Sequence, residues 1–165
     1  MINCPYRVTI CSPIYGVEKY IERCAVSLFE QTYSDIDYVF VNDCTKDKSI
    51  EVLNRVIERY PERKKNVRII NHEKNRGLSA ARNTGVDNAK TDFLIWVDSD
   101  DYVEPKMVEL LVKKQLNSNA DIVCGGVQSM FEDDAVYEKR DENMSRESYL
   151  HRLLSKKPNI GFGGS

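Results

Sequence analysis

Apolar residues in this chain form short continuous runs and longer runs at helical spacing, and the two kinds alternate. The short runs are rich in β-branched and aromatic residues and predict four buried strands, over residues 8–11, 38–41, 67–70 and 93–97. Helical spacing predicts helices over 17–30, 50–60 and 78–89, and a fourth helix that starts at Pro105. These strand–helix units in succession predict an α/β fold with a mainly parallel sheet and helices on both faces.

The pattern changes after Asn119. Residues 122–127 are mostly apolar and predict one further strand with a glycine bend. Met130-Phe131 and Val136-Tyr137 predict a small antiparallel addition near the C-terminus, on either side of an acidic turn. A last helix is predicted over residues 145–155, with Ser145 as its cap.

Composition narrows the class of protein. The chain has 165 residues with a net charge of −2, which argues against general nucleic-acid binding because that needs a basic face. The basic clusters at 63–65 and 156–157 are interpreted as solvated surface. Five cysteines without a Cys-x-x-Cys pair indicate reduced thiols. No run could span a bilayer, so we expect a cytoplasmic protein, with attachment to the inner face of a membrane as the alternative and the oligomeric state unspecified.

Polar residues follow each predicted strand at the point where it ends. The carboxyl ends of parallel strands share one edge of the sheet, where ligands bind. Neighbouring carboxylates repel one another unless a cation compensates them, and Mg²⁺ and Mn²⁺ take oxygen ligands. The sequence therefore predicts a metal-assisted site for a phosphorylated ligand, the alternative being an ordinary acidic turn. The polar clusters are Ser12–Tyr15, Asn42-Asp43, Asn71–Asn75 and Asp98–Asp101.

The residue types suggest roles. Tyr15 could stack on a base, and Asp43 could accept a hydrogen bond from a base imide, which selects uracil or thymine over cytosine. Asp98 could hold a ribose hydroxyl, while Asp100 could hold a cation that bridges a diphosphate. The alternatives are structural: Tyr15 packs half-buried, and Asp43 or Asp47 caps the helix that follows.

At these residues the chain resembles the family 2 glycosyltransferases, which have the Rossmann-like GT-A fold. The resemblance covers roughly residues 7–127 and is carried by blocks in the family's order. It implies one GT-A domain, in which residues 1–105 bind the nucleotide and 106–165 begin an incomplete acceptor-side part. The matching blocks are Val8–Tyr15, Val17–Ile21, Ser27–Tyr33, Val41–Ser49, Asn75–Gly85 and Asp98–Asp101.

The resemblance implies a hexosyltransferase-like enzyme of polysaccharide assembly. It would move a sugar from a nucleotide-sugar donor, a UDP-sugar, to a hydroxyl of a glycan or lipid-linked acceptor, with inversion. Pro13 and Tyr15 would line the base pocket, and Asp43 would contact the base N3. Asp98 and Ser99 would lie near the ribose. Asp100, together with Asp98, would bind Mn²⁺ or Mg²⁺. Arg82 would lie beside the nucleotide, with a structural ion pair as the alternative.

Two departures from the family pattern leave alternatives open. Asn42 stands where the family usually has Asp, and Cys44-Thr45 replaces Gly-Ser. No acid after Asp101 has the neighbours of the family's general base, so we expect that base in a C-terminal part that this chain lacks. A non-catalytic nucleotide-sugar binding module is the alternative function. A sugar-phosphate nucleotidyltransferase is disfavoured, because the loop after the first strand lacks the expected glycines.

Overall fold

Four parallel strands form the central sheet of the molecule. The structure is a computed structural model that describes residues 6–131 and 134–138. Its sheet consists of β1 (Val8–Ile14), β2 (Ile36–Asn42), β3 (Val67–Asn71) and β4 (Phe93–Trp96), in the order β3-β2-β1-β4. Every neighbouring pair is parallel, so the predicted parallel α/β sheet is confirmed.

Helices connect these strands and follow the last one. They are α1 (Ile21–Phe29), α2 (Ser49–Arg59), the short α3 (Pro61–Lys64), α4 (Leu78–Asn88) and α5 (Met107–Ser118). Pro61 ends α2 and occupies the first turn of α3, where its missing N–H costs nothing. The first helix begins at Ile21 rather than Val17, because Val17 accepts hydrogen bonds from the N–H groups of Tyr20 and Ile21 in a turn.

The two faces of the sheet carry different helices, as predicted. On one face Ala81 of α4 packs into a buried cluster with Cys11, Val39 and Val41. On the other, the ring of Phe29 in α1 lies edge-on against Tyr38, 5.0 Å between centroids. Side chains alternate between the faces of a strand, so Tyr38 and Val39 point to opposite sides. Fully burying each such side chain contributes roughly 1.5–3 kcal/mol.

The basic residue Arg63 is not part of a solvated surface, so that interpretation is wrong for this residue of the 63–65 cluster, whereas Lys64 and Lys65 are exposed. Its side chain is only partly exposed and donates hydrogen bonds to four backbone carbonyls at and beyond the end of α1. The carbonyl of Phe29, the last residue of α1, lacks a partner within the helix, and a cation near a helix C-terminus also offsets the dipole. The acceptors are the oxygens of Phe29 at 3.3 Å, Gln31 at 2.7 Å, Tyr33 at 3.1 Å and Ser34 at 2.9 Å.

The described residues fall into two units, which divide between Leu110 and Leu111. In the second unit β5 (Val127–Phe131) pairs with β6 (Asp134–Glu138) as a two-stranded antiparallel sheet. The predicted strand over 122–127 is wrong up to residue 126, because β5 begins only at Val127. Two consecutive glycines, Gly125 and Gly126, disfavour a strand there. The helix predicted over 145–155 lies outside the described residues. Among the residues that the structure describes, no helix is long and apolar enough to cross a bilayer.

Candidate functional site

The parallel sheet brings the ends of its four strands to one edge of the first unit. Tyr15 follows β1, Asp43 follows β2, His72 follows β3, and Asp98 lies two residues beyond β4. Tyr15 is 54% exposed, which suits stacking on a ligand better than the alternative of a half-buried packing role. Asp43, in contrast, is 3% exposed. The edge thus offers an exposed aromatic ring beside a buried carboxylate.

The Asp43 carboxylate is held by three donors. Oδ1 lies 2.7 Å from His72 Nδ1 and accepts a hydrogen bond of 2.8 Å from the backbone N–H of Arg76. Oδ2 accepts one of 2.7 Å from the backbone N–H of Gly77. A carboxylate has about four acceptor sites, so by this count one site on Oδ2 has no donor among the described residues.

These contacts fix the charge of Asp43. Burial by itself would raise the pKa of this carboxyl. The hydrogen bonds from His72 and from the Arg76 and Gly77 amides outweigh burial and hold the pKa below its ordinary value. Asp43 is therefore ionised at neutral pH and can only accept hydrogen bonds.

The loop that carries Tyr15 is fastened to the loop between β2 and α2. Gly16 N–H donates to Thr45 Oγ1 at 2.9 Å, and Glu18 N–H donates to Asp47 Oδ2 at 3.0 Å. In return, Glu18 Oε2 accepts the N–H of Lys48 at 3.1 Å. Gly16 has a φ of +71°, a conformation that suits glycine. These bonds hold the Tyr15 loop in place beside Asp43.

Pro13 and Ser99 lie deeper than the other predicted site residues. Both are buried, and Ser99 Oγ donates a hydrogen bond of 2.6 Å to the Pro13 carbonyl. This bond joins the end of β1 to the segment after β4. Their predicted places beside the base and ribose stay predictions, and the contact found here positions the backbone at the site.

Arg82 and Asp98 form an ion pair. Arg82 Nη2 lies 2.9 Å from Asp98 Oδ1 and 3.2 Å from Oδ2, and each side chain is about one-third exposed. The ion-pair alternative for Arg82 is therefore present in the structure. Because both residues lie at the strand edge, the pair also leaves Asp98 partly accessible to a ligand.

The segment after β4 concentrates negative charge. Burial, then Asp100, then Asp98 raise the pKa of the Asp101 carboxyl, with Arg23 opposing them. Burial, followed by the carboxylates of Asp101, Asp100 and Asp98, raises the pKa of the Cys24 thiol to about 12. Asp100 is exposed and makes no hydrogen bond within residues 6–126. This charge is only partly compensated by protein.

The donor set at Asp98 and Asp100 fits a cation that is shared with a ligand. Among residues 6–131 no three acidic, histidine or cysteine side chains converge as a complete metal site. Mg²⁺ typically takes one or two carboxylates together with substrate phosphates, and it does not need a cage made only of protein. Asp100, with the accessible part of Asp98, could supply those carboxylates.

Sequence reasoning missed His72 and the amides of Arg76 and Gly77. The sequence predicts that the polar cluster 71–75 lies at the edge, but it assigns no role to His72. The available signal was position, since His72 directly follows β3 as Asp43 directly follows β2. The backbone donors could not be read from residue types.

The family model described as "Glycosyl transferase family 2" matches residues 9–164. The chain belongs to this family. Glycosyltransferase GlyA of Streptococcus pneumoniae is 38% identical over 149 residues, which are 84% of this chain and 21% of that protein. The uncharacterized glycosyltransferase EpsJ of Bacillus subtilis is 41% identical over 130 residues, 79% of this chain and 36% of that protein.

Solved structures show that the family member described here has the GT-A glycosyltransferase fold. The S. aureus TarS 1-349 structure in complex with UDP superposes with a TM-score of 0.63 at 24% identity, over 70% of this chain and 33% of that chain. Mannosyltransferase PcManGT from Pyrobaculum calidifontis, in complex with GDP-Man and Mn²⁺, has a TM-score of 0.63 at 23% identity, over 76% and 35%. Both curated relatives are much longer than the part that this chain matches.

Proposed function

We propose that the strand edge of this glycosyltransferase is the binding site for the nucleotide of a UDP-sugar donor. The observation that carries the proposal is the Asp43 carboxylate, ionised and held by three donors with one acceptor site left on Oδ2. The N3–H of uracil or thymine can donate to that site. Cytosine presents an acceptor at N3 and would meet a negative oxygen instead.

Other residues of the edge complete the donor site in this proposal. The exposed ring of Tyr15 stacks on the base, and Pro13 closes the base pocket beneath it. Asp98 and Ser99 lie at the ribose, and Arg82 holds Asp98 in place through their ion pair. The structurally similar S. aureus TarS has been solved in complex with UDP, which is consistent with the uridine nucleotide proposed here.

We further propose that Asp100, with Asp98, holds Mn²⁺ or Mg²⁺ between the protein and the diphosphate. Bound there, the ion would offset the negative charge that grows on the departing nucleoside diphosphate. Asp100 is exposed, and the negative charge around it is only partly compensated by protein groups. Both observations support this role. The Mn²⁺ in the Pyrobaculum calidifontis mannosyltransferase complex is consistent with it.

In the complete reaction a carboxylate removes the proton of an acceptor hydroxyl as its oxygen attacks the anomeric carbon. The bond from that carbon to the diphosphate breaks on the opposite side, so configuration inverts. We propose a glycan or lipid-linked acceptor at the cytoplasmic side, and the general base stays unassigned. The residues of the first unit supply the donor side of this reaction.

Calorimetric titration tests the donor site. UDP with Mn²⁺ should bind, and CDP should bind at least about tenfold more weakly, the effect of losing one hydrogen bond to a charged group. Asp100→Asn should weaken UDP binding in Mn²⁺ but change it little in EDTA. Asp87→Asn, which removes an exposed charge at the far end of α4, is the matched control.

Two results would change the proposal. Equal affinity for UDP and CDP would remove Asp43 from base recognition. Tight UDP binding without release of UDP from UDP-sugars, in a longer chain that includes a candidate general base and with acceptor glycans present, would favour a nucleotide-sugar binding module over an enzyme.

A further inference from the structure

The His72 side chain is almost fully buried at the strand edge, and it links three elements. Its side chain is 5% exposed. Nδ1 lies 2.7 Å from Asp43 Oδ1, and Nε2 lies 2.9 Å from Thr84 Oγ1 in α4. The backbone N–H of His72 donates to Asn42 O at 2.9 Å, so the ring is anchored to β2 and β3 at once.

The contacts of the ring determine its tautomer. The ionised Asp43 carboxylate has no proton to give, so Nδ1 must carry the hydrogen of this bond. In a neutral imidazole Nε2 is then an acceptor, and the hydroxyl of Thr84 donates to it. Asp43 therefore sets the hydrogen on Nδ1, and the Thr84 hydroxyl, which can donate or accept, holds the ring from its other side.

The two oxygens of Asp43 are thereby made unequal. Oδ1 accepts from both His72 and Arg76, whereas Oδ2 accepts only from Gly77. Without the His72 bond, the carboxylate would keep only the two backbone donors of one short segment. Those donors are adjacent in sequence and would leave the side chain freer to turn.

We propose that His72 is a positioning residue for base recognition, which holds the Asp43 carboxylate so that Oδ2 faces the ring N–H of the bound base. This inference rests on the proposed donor site. It assigns to His72 no contact with the nucleotide and no part in the sugar-transfer step. Its consequence is base selectivity, measured as the ratio of the CDP and UDP dissociation constants.

Three variants test the role of His72. His72→Leu removes the N–H donor, and His72→Asn keeps a donor close to the position of Nδ1. Thr84→Val removes the hydroxyl that anchors Nε2 while keeping the shape of the side chain. Dissociation constants for UDP and CDP are measured by calorimetry for each variant, and folding is checked by circular dichroism.

We expect His72→Leu to weaken UDP binding about tenfold and leave CDP binding nearly unchanged, so that selectivity falls. His72→Asn should restore most of the selectivity, and Thr84→Val should lower it by a smaller factor. A merely structural histidine would instead weaken both nucleotides together. A folded His72→Leu protein with wild-type selectivity would overturn the inference.

Two further comparisons keep the test decisive. If His72→Leu does not fold, the other two variants still decide. The proposed bond is contradicted if Thr84→Val keeps the selectivity of the wild type while His72→Asn, which retains a donor, loses it. Asp43→Asn separates the two proposals. Loss of UDP selectivity in Asp43→Asn but not in His72→Leu upholds the donor site and rejects the role of His72, whereas a wild-type protein without selectivity rejects both.

Discussion

Arg82 Nη2 lies 2.9 Å from Asp98 Oδ1, so that α4 is joined to the segment after β4 by an ion pair at the proposed donor site. The Arg82 guanidinium also lies 6.0 Å from the ring centroid of Trp96. The sequence predicts that Asp98 binds a ribose, and that Arg82 lies beside the nucleotide or in an ion pair. The pair unites these expectations, because an aspartate whose orientation is fixed is better placed to accept a ribose hydroxyl.

The Arg82–Asp98 pair should contribute little to folding. Both side chains are about one-third exposed, and such pairs typically contribute about 0.2–1 kcal/mol. A double-mutant cycle with Arg82→Met and Asp98→Asn, followed by urea unfolding, should give a coupling free energy in that range. A coupling of several kcal/mol would show that the pair is a main structural contact.

Asp47 should make the protein lose stability in acid. Burial opposes its ionisation, but hydrogen bonds from Ser49, Thr45 and Glu18 lower its pKa from 3.8 to about 2. A lowered folded-state pKa gives stability that is full above about pH 4 and is lost as the pH falls toward 2. The shift corresponds to about 2 kcal/mol.

Asp47→Asn should therefore flatten the decline of unfolding free energy between pH 4 and pH 2, as followed by urea denaturation. Some decline should remain, because the pKa of Asp43 is lowered as well. Asp87→Asn, at an exposed site, is the control and should keep the wild-type profile. An unchanged profile in Asp47→Asn would contradict the assignment.

Gly85 should not tolerate a side chain, although it lies in a helix. A Cβ there would come within 2.9 Å of Trp96 Cη2 and 3.2 Å of Cys11 Sγ. Crowding of this kind costs about 1–3 kcal/mol, more than the gain of about 1 kcal/mol in helix propensity. Gly85→Ala should lower the unfolding free energy, and the loss should shrink in a Trp96→Phe background, which removes the crowded ring atoms. Equal losses in both backgrounds would argue against the clash.

Arg63 should matter far more to stability than the neighbouring Lys64. Arg63→Lys cannot span the four carbonyls that the guanidinium reaches, and leaving such groups unsatisfied should cost about 2–3 kcal/mol. Lys64 pairs with Glu58 at the surface at 2.7 Å, so Lys64→Met should cost less than about 1 kcal/mol. Thermal and urea unfolding of the two variants provide the comparison, and similar losses would contradict it.

The sequence by itself determined the fold class and the edge of the sheet at which the site is proposed. Continuous apolar runs predicted β1 to β4, since buried parallel strands are apolar on both faces. Parallel strands end at one edge, so the sequence alone places the polar residues after each run, including Tyr15, Asp43 and Asp98, at the same edge of the sheet. The resemblance to family 2 glycosyltransferases was confirmed by the family match.

Only the tertiary structure decided which partner each polar group takes. Arg63 reads as one of three surface cations, yet it bonds carbonyls that lie about 30 positions earlier in the chain. The sequence places His72 in a loop, yet its Nδ1 lies 2.7 Å from Asp43 Oδ1 because β2 and β3 are neighbours in the sheet. Residue types specify what a side chain can donate or accept, but long-range pairing specifies to whom, and that depends on how distant segments are brought together.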